Sequence, residues 1–157
     1  NMKHRDIAMF LAAHKARAYK EYHAPGYILI TADTIVCQEQ QVLNKPRNYQ
    51  EAFSMLSGLA RNTHQVITGM AVTINGNMHQ LASSTTVHFN HLEKEEIDHY
   101  ISHYQPYDKA GAYGIQEWIG YVGVDKIEGS YFNVMGLPVQ ALYQLLKKQV
   151  PEHPVTS

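Results

Sequence analysis

The sequence predicts an α/β domain of mixed α+β type, with a mixed, twisted sheet flanked by helices. Three observations predict this class: an apolar, β-branched run at residues 28–36, two β-rich runs around an Asn-Gly dipeptide, and several segments with helical apolar spacing. The chain has 157 residues, 45% of them hydrophobic, which suffices for one core but not comfortably for two. We therefore assign residues 1–150 to a single domain and residues 151–157 to a tail.

The first predicted element is a helix over residues 6–22, which ends before the helix-breaking pair Pro25-Gly26. Lys15 stands at the border of the face that we expect to be buried. Lysines at such positions commonly extend their alkyl chains over the core while the charge stays in water. The expected buried face consists of Ile7, Phe10, Leu11, His14 and Ala18.

A strand follows at residues 27–32, with a short apolar continuation through Val36. Asp33 interrupts this run, and burial of an unpaired carboxylate costs roughly several kcal/mol. We expect Asp33 to lie where the strand ends, because ligands of open α/β sheets gather beyond strand ends. The alternative is that Asp33 only caps a turn through nearby backbone amides.

Capping and turn residues predict the remaining elements. Asn48, with Glu51 three residues later, indicates a capping-box-like start to a second helix. Asn75-Gly76 favours positive φ and predicts a hairpin within residues 66–89. The pattern is completed by a helix near 92–104, two short strands within 108–137, and a helix from Pro138 to about Gln149.

Composition argues against several classes of function. The 13 Lys and Arg residues are balanced by 14 Asp and Glu residues, so there is no basic field for polymeric nucleic acid. Cys37 is the only cysteine, which excludes an intrachain disulfide and fits a reducing compartment. No apolar run reaches the roughly 18 residues of a membrane span. We expect a cytoplasmic protein that binds neither membranes nor nucleic-acid polymers.

Local patterns nominate candidate site residues beyond Asp33. Pro46 favours an extended Lys45, which suits phosphate binding, although most loop lysines are simply solvated. In DKAGAYGIQ, residues 108–116, the glycines allow close approach either to a ligand or to another part of the core. Gln116 offers an amide donor beside an acceptor, which can pair with a uracil or thymine edge.

Two other patterns favour ordinary explanations. His99 and His103 have the i, i+4 spacing of a helical zinc site, but Tyr100 stands where the metalloprotease pattern requires glutamate. Cys37 within TIVC is more easily a small buried residue than a catalytic nucleophile. Neither pattern nominates a site.

Taken in order, the blocks TADTIV, NKP, EAFSMLSGLARNTHQVITG, DKAGAYGIQ and GSYFNVMGLP resemble the Maf family of septum-formation-inhibitor-like nucleoside triphosphate pyrophosphatases. The resemblance spans roughly residues 7–148 and implies a Maf/ITPase-like fold whose first strand is missing from these 157 residues. It implies hydrolysis of the α–β phosphate bond of dTTP, UTP and modified pyrimidine relatives to a monophosphate and pyrophosphate. A homodimer is implied as well.

The same resemblance implies roles for single residues. Asp33 matches the family's catalytic acid, which accepts a proton from the attacking water. Lys15 and Lys45 match phosphate contacts. Thr34 and Gln116 match positions associated with base choice, and the pair is similar to that of the dTTP/UTP branch rather than the 7-methyl-GTP branch.

The resemblance also implies a divalent metal, Mg or else Mn or Co. Asp33 is the expected ligand, and we add Asp108 because magnesium prefers carboxylate oxygens and keeps several waters. Lysines and a metal together would offset the charge of a triphosphate.

The sequence departs from the family pattern at three places. Asn44 replaces the glycine of Gly-Lys-Pro, where asparagine's tolerance of positive φ would preserve the turn. Ser130 replaces an aspartate and so removes a charge. A Ser-x-Ser-Pro-Arg-Arg loop and a following acid do not occur in the 157 residues, so we expect these residues alone to be weakly active or inactive. Equal rates with that start restored would contradict the expectation.

Two classes of function stay open at this point. One is the pyrophosphatase; the other is a nucleotide-binding regulator of cell division or septum formation, with incidental or no catalysis. Nucleotide binding without turnover would favour the regulator, whereas an acid and two lysines at the matching positions favour the enzyme.

Overall fold

The computed structural model describes residues 3–150 and confirms the α/β class. The strands are β1 (Ile28–Gln38), β2 (Gln41–Leu43), β3 (Thr63–Ile74), β4 (Asn77–Phe89) and β5 (Val124–Glu128). The helices are α1 (His4–Ala18), α2 (Tyr49–Leu59), α3 (Lys94–Tyr104), α4 (Trp118–Gly123), α5 (Tyr131–Met135) and α6 (Val139–Gln149). The predicted tail, residues 151–157, lies outside the described residues.

The five strands form one sheet in the order β2-β1-β3-β4-β5. Every strand pairing within residues 3–150 is antiparallel, so the expectation of a mixed sheet was wrong. Short turns join β1 to β2 and β3 to β4, and a turn of that length can only make antiparallel neighbours. The β3–β4 turn is the predicted hairpin, with φ of 49° at Asn75 and 84° at Gly76.

Helix α1 packs on one face of the sheet through small residues, not through the large apolar residues that the sequence predicted. Ile7 and Leu11 are only partly buried, and Phe10 is 53% exposed. His14 and Ala18 are exposed as well. The helix approaches β3 so closely that larger side chains would not fit between them. It also ends at Ala18, and a 3-10 turn follows at Lys20–His23. Its fully buried residues are Ala8, Ala12, Ala13 and Ala16.

The main core lies on the opposite face of the sheet, beneath α2, α3 and α4. Leu56, Tyr100 and Ile119 are completely buried there. The predicted start of α2 is confirmed, because Asn48 Oδ1 accepts from the Glu51 backbone N–H at 3.0 Å. None of the helices in residues 3–150 combines the length and apolar character that a membrane span requires.

The segment 108–137 differs from its prediction, since it contains one strand and not two. A 3-10 turn at Ala110–Ala112 is followed by α4, β5 and α5. Ile119 and Gly123 both face the core, and this four-residue spacing is helical. The last helix, α6, follows Pro138 as predicted.

Candidate active site

A cavity of about 340 Å³ opens beside β1, between α1, the loop after β2, residues 108–116 and α5. Its walls include every residue that the sequence nominated, namely Lys15, Asp33, Thr34, Lys45, Asp108 and Gln116. These residues come from four separate parts of the chain, so only the fold brings them together. Their chemical roles stay predictions.

Asp33 lies in the middle of β1, paired with Gly69 of β3, and not at the end of a strand as expected. Within the described residues, positions 28–35 have a strand partner on one side only, because β2 pairs with residues 36–38. The Asp33 side chain is 23% exposed, and Lys15 Nζ lies 2.7 Å from its Oδ2. The acid is tolerated because it stands at an open sheet edge with a cationic partner.

Two lysines and an acid form the rim of the cavity beyond Asp33. Lys45 lies in the exposed loop after β2. Asn44 before it does not adopt positive φ, so the turn does not depend on asparagine's special tolerance. Asp108 is 77% exposed, and Lys109 Nζ lies 2.9 Å from its Oδ1. The hydrogen bond from Lys109 lowers the pKa of Asp108, and the charge of Lys45 contributes.

Lys109 is a cavity residue that the sequence analysis missed. Its Nζ also lies 3.2 Å from Oε1 of Glu117, whose carboxylate accepts a hydrogen bond from the Tyr100 hydroxyl. Tyr100 in turn accepts from the Gly114 backbone N–H at 3.1 Å. Burial lowers the pKa of Lys109, but its bonds to Asp108 and Glu117 outweigh that effect and raise it. This network holds the loop of residues 108–117 in place, and that loop forms part of the cavity wall.

Gln116 and α5 form the less charged part of the wall. The Gln116 side chain is exposed, and its amide makes no hydrogen bond to any other residue of the described chain. Val134, Met135 and Gly136 face it from α5 and its C-terminal end. A free amide beside apolar atoms suits a flat heterocyclic base.

Thr34 points to the opposite face of β1 from Asp33 and connects to a buried polar network. Its Oγ1 lies 2.8 Å from Oγ1 of Thr68, which donates to the backbone carbonyl of Asn133 at 2.9 Å. Ser130, where the family pattern has an aspartate, is the N-cap of α5 and accepts from the Asn133 N–H at 3.3 Å. The bond from Thr68 to Asn133 attaches α5 to the sheet.

Tyr113 lines the cavity and is held in position by a buried histidine, His64. Its hydroxyl lies 2.6 Å from Nε2 of His64, which is 2% exposed and packs edge-on against Tyr113 and Phe89. Burial and the charge of His88 lower the pKa of His64 to about 4. His64 is therefore neutral at physiological pH.

We expect His64 to make the protein acid-sensitive. Its folded pKa of about 4 lies below the ordinary 6.5, so between these values the unfolded chain binds a proton that the folded chain does not. The free energy of unfolding should fall by about 2 kcal/mol between pH 7 and pH 5 through this residue. Urea unfolding at both pH values measures it. His64→Phe, which keeps an aromatic ring, should show a smaller fall, and an equal fall would contradict the assignment.

The oxygen donors of the cavity fit a hard divalent cation that shares its ligands with a substrate. Asp33 and Asp108 both present carboxylates to the cavity. Residues 3–150 contain no group of three or more His, Cys, Asp or Glu side chains that could hold a metal ion by themselves. Magnesium is commonly bound by one or two carboxylates together with phosphate oxygens and water, and this donor set matches that pattern.

Comparison with known proteins places this geometry in a family. A dTTP/UTP pyrophosphatase of Bacteroides fragilis strain YCH46 is 52% identical over 143 residues, which cover 91% of this chain and 74% of that protein. Those of Phocaeicola vulgatus and Christiangramia forsetii are 52% and 43% identical, over 94% and 96% of this chain and 76% of each relative. A family model described as "Maf-like protein" matches residues 1–149. The chain therefore belongs to the family of Maf-like proteins.

Proposed function

We propose that this protein hydrolyses dTTP, UTP and modified pyrimidine relatives between the α and β phosphates, to a nucleoside monophosphate and pyrophosphate. The observation that carries the proposal is one cavity that joins Asp33 with Lys15, Lys45 and Lys109. Relatives of which this chain covers about three quarters bear the name dTTP/UTP pyrophosphatase. Their name does not favour the alternative of a division regulator without catalysis.

The chemistry requires an anion-binding rim and a proton acceptor. The three lysine ammonium groups offset the negative charge of the triphosphate, and they can follow the charge as it develops on the leaving pyrophosphate. Asp33 accepts a proton from the attacking water, because its side chain reaches solvent at the cavity wall. Lys15, whose Nζ lies 2.7 Å from Oδ2 of Asp33, holds that carboxylate in place at the cavity wall.

A divalent metal, Mg or else Mn or Co, is part of the proposal. Asp33 would hold it, with Asp108 as a second ligand at the exposed rim. When bound, the metal supplies charge neutralisation at the phosphates and lowers the pKa of a coordinated water. A homodimer and a cytoplasmic location also remain proposals.

The function is tested by product analysis on the full-length protein. We expect pyrophosphate and the monophosphate from dTTP and UTP with magnesium, and much slower release from dCTP, dATP and dGTP. Release of orthophosphate and a diphosphate would contradict cleavage at the α–β bond. Tight nucleotide binding without any turnover would support the regulator instead.

We expect Lys45→Met to raise KM for dTTP by about tenfold or more, since a charged hydrogen bond to phosphate contributes about 1.5 to 3 kcal/mol. The substitution keeps an unbranched apolar side chain up to the ε position and removes the ammonium group. Lys148→Met, an exposed change on α6 at a residue that does not line the cavity, is the matched control and should leave KM unchanged. Initial-rate kinetics measure both, and an unchanged KM in Lys45→Met would remove Lys45 from the phosphate site.

A further inference from the structure

Thr68 on β3 is a completely buried hydroxyl directly behind the cavity. Its Oγ1 lies 2.9 Å from the backbone carbonyl oxygen of Asn133 and 2.8 Å from Oγ1 of Thr34. A carbonyl oxygen can only accept, so the Thr68 proton lies between Thr68 Oγ1 and the Asn133 carbonyl oxygen. Otherwise two acceptors would face each other at 2.9 Å without a proton, at a position that bulk water does not reach.

The direction of the first bond fixes the second. A hydroxyl has one proton and two lone pairs. Since Thr68 gives its proton to Asn133, Thr34 must donate to Thr68, and Thr34 Oγ1 can then only accept a hydrogen bond from a ligand. Thr34 lines the cavity, and a Cβ on Gly136 would lie 3.4 Å from its Oγ1, so the missing side chain there leaves space beside this oxygen.

Thr34, Thr68 and the Asn133 backbone carbonyl form a hydrogen-bond relay, and Asn133 fixes its far end. It is completely buried, and its Nδ2 donates to the Val66 carbonyl at 3.0 Å and to Thr85 Oγ1 at 2.9 Å. The backbone carbonyl oxygen of Asn133, which accepts from Thr68, also accepts from the Gly136 N–H at 3.1 Å. A buried acceptor fixed by this many bonds cannot turn away to release the Thr68 proton.

We propose that Thr68 is a positioning residue for base selection, which fixes the Thr34 hydroxyl as an acceptor for the N3–H of a thymine or uracil base. The inference rests on the proposed function. N3–H is the single N–H group on the pairing edge of these bases, so an acceptor that contacts this edge productively must face it. Cytosine in the same register presents a lone pair at N3, and two acceptors would then oppose each other.

The test replaces Thr68 by valine, which has the same shape but neither proton nor lone pair. Thr34 then loses its acceptor and can turn to donate to the N3 of cytosine. The ratio of kcat/KM for dTTP over dCTP should fall by about tenfold or more, with an absolute gain on dCTP. A purely structural defect would lower both substrates together and leave the ratio unchanged.

Three further variants complete the design. Thr68→Ser keeps the hydroxyl and should restore the ratio. Thr68→Ala also removes the hydroxyl and gives a second measurement if the valine variant does not fold. Thr73→Val is the matched control, because Thr73 is also a fully buried threonine of β3, and its Oγ1 has no partner within residues 3–150. A ratio that stays constant in Thr68→Val and Thr68→Ala, or falls equally in Thr73→Val or Thr68→Ser, would overturn the proposal.

Binding separates this inference from the proposed function. Calorimetric affinities for dTMP and dCMP, measured on the same set of proteins, report base selection without any turnover. A preference for dTMP that disappears in Thr68→Val supports the relay even if no pyrophosphate is released. Pyrophosphate release from dTTP with an unchanged preference in Thr68→Val keeps the function and overturns the relay.

Discussion

Asp33→Asn should lower kcat for dTTP hydrolysis by about 10²- to 10⁴-fold, the usual contribution of a positioned general base. Asparagine has almost the same shape, but its amide does not take a proton from water at neutral pH. The bonds that hold β1 to β3 run through the backbone, so the substitution leaves the strand in place. The ion pair that is lost involves a lysine side chain that is 52% exposed, and such pairs contribute about 1 kcal/mol or less to stability.

The matched control for this variant is Asp125→Asn on β5, at the opposite edge of the sheet from Asp33. Asp125 is exposed, and the same loss of charge there should change kcat by less than about twofold. Pyrophosphate release measures kcat, and urea unfolding shows that both variants are folded. Undiminished activity in folded Asp33→Asn would exclude Asp33 as the proton acceptor.

Asp33 lines the cavity, but it lies in the middle of a strand and not at the strand end that the sequence analysis expected. Local sequence predicts that a carboxylate within an apolar run marks a strand end, because a central strand would bury it. An open sheet edge solves the same problem in the middle of a strand. Whether β1 has a neighbour at residues 28–35 depends on the rest of the sheet, and no pattern within ILITADTIV encodes it.

The nominated cavity residues other than Lys15 lie in the ordered sequence blocks, whereas most of the groups that support them were not nominated. Lys109 had a weak signal, as a lysine beside Asp108 in the same block. Glu117 and Tyr100 had none, because their contact joins a loop to a helix 17 residues away in the chain. Contacts of this kind depend on tertiary packing, so periodicity and capping rules do not predict them.

Helix α1 illustrates the same limit in the core. Amphipathic spacing favoured its large apolar residues as the buried face, yet its alanines are buried. The alanines are buried because Gly69 of β3 has no side chain, which lets the backbone of α1 approach the strand closely. A sequence pattern within one helix cannot show how closely its partner allows it to approach.

Gly69→Ala should therefore lower the free energy of unfolding by about 3 kcal/mol or more, one of the larger effects of a single methyl group. The new Cβ would lie 2.2 Å from the carbonyl carbon of Ala8 and 2.4 Å from the backbone nitrogen of Met9. These are helix backbone atoms, which cannot rotate aside as a side chain can. The methyl group fits only if α1 moves away from β3.

The same movement should reach the active site. Gly69 is the strand partner of Asp33, and α1 carries Lys15 to within 2.7 Å of that carboxylate. The Thr31 hydroxyl also ties the helix to β1 by donating to the Ala12 carbonyl at 2.7 Å. We expect folded Gly69→Ala to lose about tenfold or more in kcat/KM, because displacements near 1 Å can cost about 10²-fold in rate.

Gly58→Ala on α2 distinguishes packing from a general effect of replacing glycine. A Cβ there would meet only Gln38 Oε1, at 3.7 Å, and alanine favours a helix over glycine by about 1 kcal/mol. Urea unfolding should therefore show that Gly58→Ala stabilises the protein while Gly69→Ala destabilises it. If Gly69→Ala left the free energy of unfolding unchanged or raised it, the close approach of α1 to β3 would not be what holds Lys15 beside Asp33.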